Sequence, residues 1–127
     1  KDPAVMEKGL KPFGLECISR INELGMLIDV SHLSDGCFWD IVKHSKKPFI
    51  ASHSCCRALC NHTRNLTDDM LHALGEKGGV VGINFASQFL NEGSNDTDIA
   101  SILRQMQHIS ASPTTRSKRS ATATCCA

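Results

Sequence analysis

Nothing in this 127-residue chain stays apolar for long. No stretch approaches the roughly 18 apolar residues of a membrane-spanning helix, and the amino end, KDPAVMEKG, lacks the basic-then-apolar pattern of a secretion signal. Charge of one sign is equally scarce. With 14 Lys and Arg against 13 Asp and Glu, the net charge is +1, which makes no electrostatic case for nucleic acid or an anionic membrane. The seven cysteines do not read as a disulfide framework, because their number is odd, their spacing irregular, and Cys17 and Cys37 fall in predicted helices. They read as reduced thiols in a cytoplasmic protein. What remains, 41% apolar and 21% charged residues, is the composition of a soluble globular domain with its own core.

The stretch from Gly25 to Asn65 organises the chain. Two short apolar runs, Met26–Val30 and Pro48–Ala51, each end in a polar dipeptide carrying a histidine, Ser31-His32 and Ser52-His53. Apolar runs of this length read as buried parallel strands, whose carboxyl ends are where α/β proteins bind ligands. A helix from Pro12, with Phe13, Cys17, Ile18, Ile21 and Leu24 on one face and Gly25 as its cap, precedes the first strand. Ser34 caps a second helix with Cys37, Phe38, Ile41 and Val42 inward, although Gly36 weakens it. Ser52–Leu66 reads as a polar loop. Thr67 caps a third helix with Met70, Leu71 and Leu74 inward, Val80–Phe85 is a third strand, and a loop follows. Asp96 or Thr97 opens a last helix through Ile99, Ile102, Leu103, Met106 and Ile109. Lys1–Lys11 reads as a linker. The tail, residues 110–127, has basic residues, no acidic one and no periodicity, and is expected to be disordered or aberrant. Alternating helices and strands make a parallel sheet flanked by helices.

Strand ends on neighbouring parallel strands would bring His32 and His53 together, as a shared metal ion requires. Asp29, three residues before His32, is expected to face the other way and to act structurally or behind a ligand rather than as one. Arg64 lies in the loop after His53. It reads either as a clamp for a substrate carboxylate or as a loop arginine pairing with Asp68 or Asp69, and Arg57 raises the same question. Cys55, Cys56, Cys60 and His62 could form a small structural-zinc knot, but their spacing matches no common zinc pattern. His44, His72 and His108 fall on helices as surface or boundary residues.

The motifs LKPFG, NELGMLIDVSHLSD, FWDIV, SKKPFIASHS, RALC, RNLTDDML and GGVVGINF cover Gly9 to Phe85 without a gap. Together they resemble the membrane (renal) dipeptidase family of zinc peptidases, especially its bacterial members. The resemblance implies a (β/α)₈ TIM-type barrel with two zinc ions at the carboxyl ends of its strands. It implies that His32 and His53 bind one of them, and that Arg64 holds the carboxylate end of a dipeptide. The implied reaction is hydrolysis of that dipeptide by water activated between the metals. A homodimer of the full-length enzyme is compatible with it.

The departures from the family are specific. The amino-terminal H-x-D metal pair, the metal-bridging glutamate, a substrate-contacting histidine and the GSDFDG-like strand with its aspartate have no counterpart here, and Cys55 stands where the family often has Asn. Residues 1–109 therefore read as a partial barrel of about three parallel strands. This portion carries two ligands to one metal and cannot bind both zinc ions, so it is expected to be inactive by itself. The alternatives are a non-catalytic α/β fragment and a structural-zinc module built on Cys55, Cys56, Cys60 and His62.

Overall fold

A computed structural model describes residues 3–93 and 98–111. The order of elements is α1 (Pro3–Met6), α2 (Pro12–Leu24), α3 (Asp35–His44), β1 (Ile50–Ala51), α4 (Asp68–Glu76), β2 (Val80–Val81), α5 (Ser87–Leu90) and α6 (Ile99–Ala111). The fold is mixed α/β around a two-stranded parallel sheet, with Ile50 opposite Val80 and Ala51 opposite Val81. A third extended segment joins it through a single parallel bridge from Asp29 to Ile50. There the Val30 N–H donates to the Ile50 carbonyl at 2.8 Å, and the Ile50 N–H donates to the Ile28 carbonyl at 2.9 Å. The three segments thus lie in chain order, with α3 and α4 as their crossovers.

The strands are shorter than the apolar runs that announce them. Met26–Val30 shrinks to one bridge, and Met26 and Leu27 are 57% and 61% exposed. A segment bonded to a neighbour on one side only has half of a central strand's ladder; Val30 is nevertheless buried in the core and Ile28 packs against it, while Met26 and Leu27 stay exposed. The strand at Val80 ends at Val81, although the Gly82 N–H still donates to the Ala51 carbonyl at 2.8 Å; Gly82 passes so close to Ser52 that a Cβ there would lie 2.0 Å from the Ser52 carbonyl oxygen.

Local signals fix the helices. Gly25 takes φ 71 at the end of α2, a left-handed conformation that favours glycine, and the Met26 N–H closes the turn onto the Ile21 carbonyl at 3.1 Å. The Ser34 hydroxyl accepts from the Cys37 N–H and the Thr67 hydroxyl from the Met70 N–H, both at 3.3 Å. These bonds satisfy donors that a helix start leaves open. Gly36 lets the first turn of α3 pack against the chain at Glu7, since a Cβ there would lie 2.3 Å from the Glu7 carbonyl oxygen. Phe38 and Ile41 of α3 and Met70, Leu71 and Leu74 of α4 pack with Phe49, Ala51 and Val81 in one buried core. Each large apolar side chain so buried contributes about 1.5–3 kcal/mol.

Several expectations need correction. Phe13, placed on the inward face of α2, is 74% exposed, and Ile18 is the buried residue of that helix. In α6, Ile99 is 75% exposed, while Ser101 and Gln105 are buried beside Ile109. Gln105 is drawn inward because its side chain satisfies two backbone groups. Its Oε1 accepts from the Cys56 N–H at 2.8 Å, and its Nε2 donates to the Leu90 carbonyl at 3.3 Å. The proposed caps Asp96 and Thr97 lie outside the described residues. Asp98 holds that end of the helix, with its carboxylate accepting from the Ser101 N–H at 2.7 Å. The helix runs to Ala111, two residues past the expected boundary at 109. Most of the 110–127 tail lies outside the described residues. The short helices α1 and α5 fall where a linker and a loop were expected.

Candidate functional site

Two consecutive strand-to-helix junctions build the site. The first apolar run delivers Ser31-His32 and the second delivers Ser52-His53. Their rings converge, with Nε2 of His32 2.8 Å from Nε2 of His53, the centroids 4.9 Å apart and the planes inclined at 58°. Two imidazole nitrogens cannot face each other at this distance with both lone pairs uncompensated, so a proton or a cation belongs between them. A zinc ion fits that donor pair. Bonds of about 2.0–2.1 Å to both nitrogens at a tetrahedral angle need a separation of about 3.3 Å, so the rings would open by about half an ångström. Among the described residues no group of three or more His, Cys, Asp or Glu side chains is arranged to hold a metal. The pair alone would supply two of the four ligands of a tetrahedral ion.

Asp29 ties the two junctions together. Its Oδ1 accepts from the Ser31 N–H at 3.0 Å, the Ser31 hydroxyl at 2.7 Å and the Ser52 N–H at 3.1 Å. Its Oδ2 accepts from the Ser52 hydroxyl. Burial pushes this carboxyl up, but the bonds from Ser52 and Ser31 outweigh it and hold its pKa at about 2, below the ordinary 3.8. The Ser52 oxygen in turn lies 2.7 Å from Nδ1 of His53, and the His53 N–H donates to the Ser31 hydroxyl at 3.1 Å. Asp29 does not turn away from the site, as strand alternation suggested. The extended segment ends there, and its carboxylate turns to the serines that precede both histidines.

Arg64 approaches the same junctions. Its Nε donates to the Ser31 carbonyl at 2.9 Å, its guanidinium carbon lies 5.6 Å from the centre of the Phe89 ring, and its backbone N–H donates to Nδ1 of His62 at 3.1 Å. It pairs with neither Asp68 nor Asp69. Arg57 has the structural role instead. Its guanidinium grips both oxygens of Asp35 at 2.6 and 2.8 Å and donates to the Asn65 and Thr63 carbonyls at 2.9 and 3.3 Å. This bidentate pair binds the loop after β1 to the first turn of α3.

The cysteines do not converge. The thiols of Cys55, Cys56 and Cys60 point to the carbonyls of Asn84, Gln105 and Gln88 respectively, and the His62 ring packs edge-on against Phe89 with centroids 4.7 Å apart. Burial pushes the thiols of Cys55 and Cys56 up to about 11 and about 12. His108 and His72 sit against Asp68 and Glu76, at 2.7 and 3.5 Å. Sequence reasoning named the converging histidines and the neighbouring arginine. It missed Ser31 and Ser52, whose signal was their matching place immediately before each histidine.

With this geometry in view, the comparisons with known proteins agree on a class. A family model described as membrane dipeptidase, peptidase family M19, matches residues 1–113. The chain belongs to that family of peptidases. A Klebsiella pneumoniae relative, an uncharacterised protein from the pqqA 5′ region, is 42% identical over 104 residues, covering 80% of this chain and 38% of the relative. An uncharacterised dipeptidase of Schizosaccharomyces pombe is 41% identical over 90 residues, 71% of this chain and 22% of the relative. Among solved structures, a metallo peptidase from Rhodobacter sphaeroides liganded with a phosphinate mimic of the dipeptide L-Ala-D-Ala superposes with a TM-score of 0.79 at 35% identity, over 83% of this chain and 31% of that one. A structure described as dipeptidase AC matches with a TM-score of 0.79 at 34% identity, over 83% and 31%. The chain thus spans roughly a fifth to two-fifths of the length of these relatives. No helix among the described residues is long and apolar enough to cross a membrane.

Proposed function

We propose that these residues are the metal-binding quarter of a zinc-dependent dipeptidase with a TIM-type barrel, in which His32 and His53 hold one of two zinc ions and Arg64 holds the substrate's carboxylate. The observation that carries this reading is the 2.8 Å approach of the two Nε2 atoms at consecutive parallel strand ends. When bound, zinc supplies Lewis acidity toward the scissile carbonyl and lowers the pKa of the attacking water. The chain's own residues position the participants. Asp29 and the two serines hold the His53 imidazole toward His32. Arg64, fixed through Nε to the Ser31 carbonyl, keeps the outer nitrogens of its fork for a planar anion. Family membership and the dipeptide mimic in the Rhodobacter sphaeroides neighbour support the substrate class.

Two imidazoles give only part of a zinc sphere, so the 127-residue chain should bind Zn²⁺ weakly and hydrolyse no dipeptide. Zn²⁺ titration of the chain followed by the histidine NMR signals tests the assignment. His32→Ala and His53→Ala should each abolish the response, and a triple serine replacement of Cys55, Cys56 and Cys60 should leave it intact. Binding that survives both histidine variants and disappears with the cysteines would overturn the reading in favour of a structural-zinc module.

A further inference from the structure

We propose that Asp29, acting through the Ser52 hydroxyl, decides which ring nitrogen of His53 carries the proton, and that this keeps Nε2 open toward the metal. The inference rests on the zinc assignment above for its consequence, but its first observable is a property of the protein alone.

Each hydroxyl has one proton to give. The Asp29 carboxylate is an acceptor only, and it takes the protons of both Ser31 and Ser52. The Ser52 oxygen, 2.7 Å from Nδ1 of His53, then has only lone pairs to offer the ring. It therefore accepts, and His53 must present Nδ1–H to it. A neutral imidazole protonated at Nδ1 has its lone pair on Nε2, the atom that faces His32. The 3.4 Å between the Ser31 and Ser52 oxygens fits the same count, because neither has a proton left for the other. The bonds of Asp29 go to Ser31 and Ser52. Asp29 is a positioning residue that works at one remove, through a bond whose direction it sets.

The chain of donors makes an unusual prediction about substitutions. In Asp29→Asn the amide oxygen can keep the three donors that converge on Oδ1, namely the Ser31 N–H, the Ser31 hydroxyl and the Ser52 N–H. The amide NH₂ then faces the Ser52 oxygen as a donor. Ser52 must turn its own proton toward His53, Nδ1 becomes the acceptor, and the ring proton moves to Nε2, where it blocks the ligand position. In Ser52→Ala the relay is absent and the ring is free to choose. Loss of a hydrogen bond behind a metal ligand lowers affinity by about 10–100-fold. Ser52→Ala should lie near the lower end of that range and Asp29→Asn at or beyond the upper end. The double variant should return to the level of Ser52→Ala, because without the serine the asparagine has nothing to invert. Removing a second group thus restores binding, which two independent packing defects would not do.

The experiment uses the chain labelled with ¹⁵N-histidine. Long-range ¹H–¹⁵N correlations at neutral pH identify the protonated nitrogen of His53 without any metal, and Zn²⁺ titrations then follow for the wild type, Asp29→Asn, Ser52→Ala, the double variant and Ser52→Thr. The expected results are an Nδ1–H tautomer in the wild type, an Nε2–H tautomer in Asp29→Asn, recovery of affinity in the double variant, and near-wild-type behaviour in Ser52→Thr. A wild-type His53 protonated at Nε2 overturns the proposal by itself, even if a variant fails to fold. So does a double variant that binds Zn²⁺ no better than Asp29→Asn. If the tautomers behave as stated while no variant changes Zn²⁺ binding, the relay stands and the zinc assignment fails.

Discussion

Gly82→Ala is a mechanical perturbation of the site, because it presses on the Ser52 backbone without removing any polar group of the network. A Cβ at position 82 would stand 2.0 Å from the Ser52 carbonyl oxygen and 2.9 Å from its carbon, and real Cβ contacts essentially never fall under 3.0 Å. Relief needs a backbone shift of at least 1.0 Å, the difference between 3.0 and 2.0. The chain is pinned against that movement on both sides. The Gly82 N–H donates to the Ala51 carbonyl and the Ser54 N–H donates to the Gly82 carbonyl, each at 2.8 Å. Overpacking costs about 1–3 kcal/mol, and one lost ladder bond adds about 1 kcal/mol. The expected destabilisation is therefore about 2–4 kcal/mol, a large share of the roughly 5–15 kcal/mol that holds a domain together. Gly93→Ala supplies the control. Position 93 has φ +74 with nothing within 4 Å among the described residues, so it is expected to carry mainly the left-handed backbone penalty of about 1–2 kcal/mol. Urea denaturation of the two variants separates the effects, and Zn²⁺ titration of Gly82→Ala should show weaker binding, because His53 moves with Ser52. If Gly82→Ala is no less stable than Gly93→Ala and binds Zn²⁺ like the wild type, the close approach of the two strands is not what sets the His53 position.

Arg57 and Arg64 should separate by assay. Arg57→Ala strands the Asp35 carboxylate and two carbonyls, and from charge-assisted bonds in a partly buried setting should cost about 2–3 kcal/mol in thermal or urea unfolding. Arg64→Ala loses one bond to a carbonyl and a ring contact, and should cost about 1 kcal/mol or less. The reverse order would refute the division of labour between them. Cys55 and Cys56 give a prediction at alkaline pH. Burial raises both thiols from 9.0, to about 11 and about 12. The folded state therefore favours their protonated forms. That contribution is complete below pH 9 and is lost as the pH rises toward 11 and 12. Stability should fall across that window, and less steeply in Cys56→Ala measured against its own neutral-pH value. At pH 8 a thiol reagent should modify the half-buried Cys17 and Cys37 well before the buried Cys55 and Cys56, and equal rates in the native protein would contradict the burial.

The legible part of the chain was the part governed by local rules. Ser34, Thr67 and Gly25 mark helix ends through the atoms next to them, so sequence alone places α2, α3 and α4 closely. Met26 and Leu27 show where local rules fail, since an apolar run announces a strand but cannot say whether a neighbour exists to pair with it. Gln105 shows a second limit. Glutamine on a helix reads as a surface residue, and only the folded chain reveals that the Cys56 N–H and the Leu90 carbonyl need one side chain to satisfy both. Asp29 shows a third, because its role depends on Ser52, 23 residues away in sequence.

That last dependence also explains how a partial site can be organised at all. The imidazoles come from consecutive strand-to-helix junctions, and the bonds from Ser31 and Ser52 that aim His53 arise within the same stretch. Asp29 braces both serines, Ser31 receives the His53 N–H, and the Ser31 carbonyl holds Arg64. None of these contacts calls on a residue before Asp29 or after Arg64. On the proposed zinc reading a third ligand would come from elsewhere, but the bonds that orient His53 do not depend on it. On that reading His53 is aimed before any further ligand arrives, and its ordering cost is met by folding rather than by metal binding.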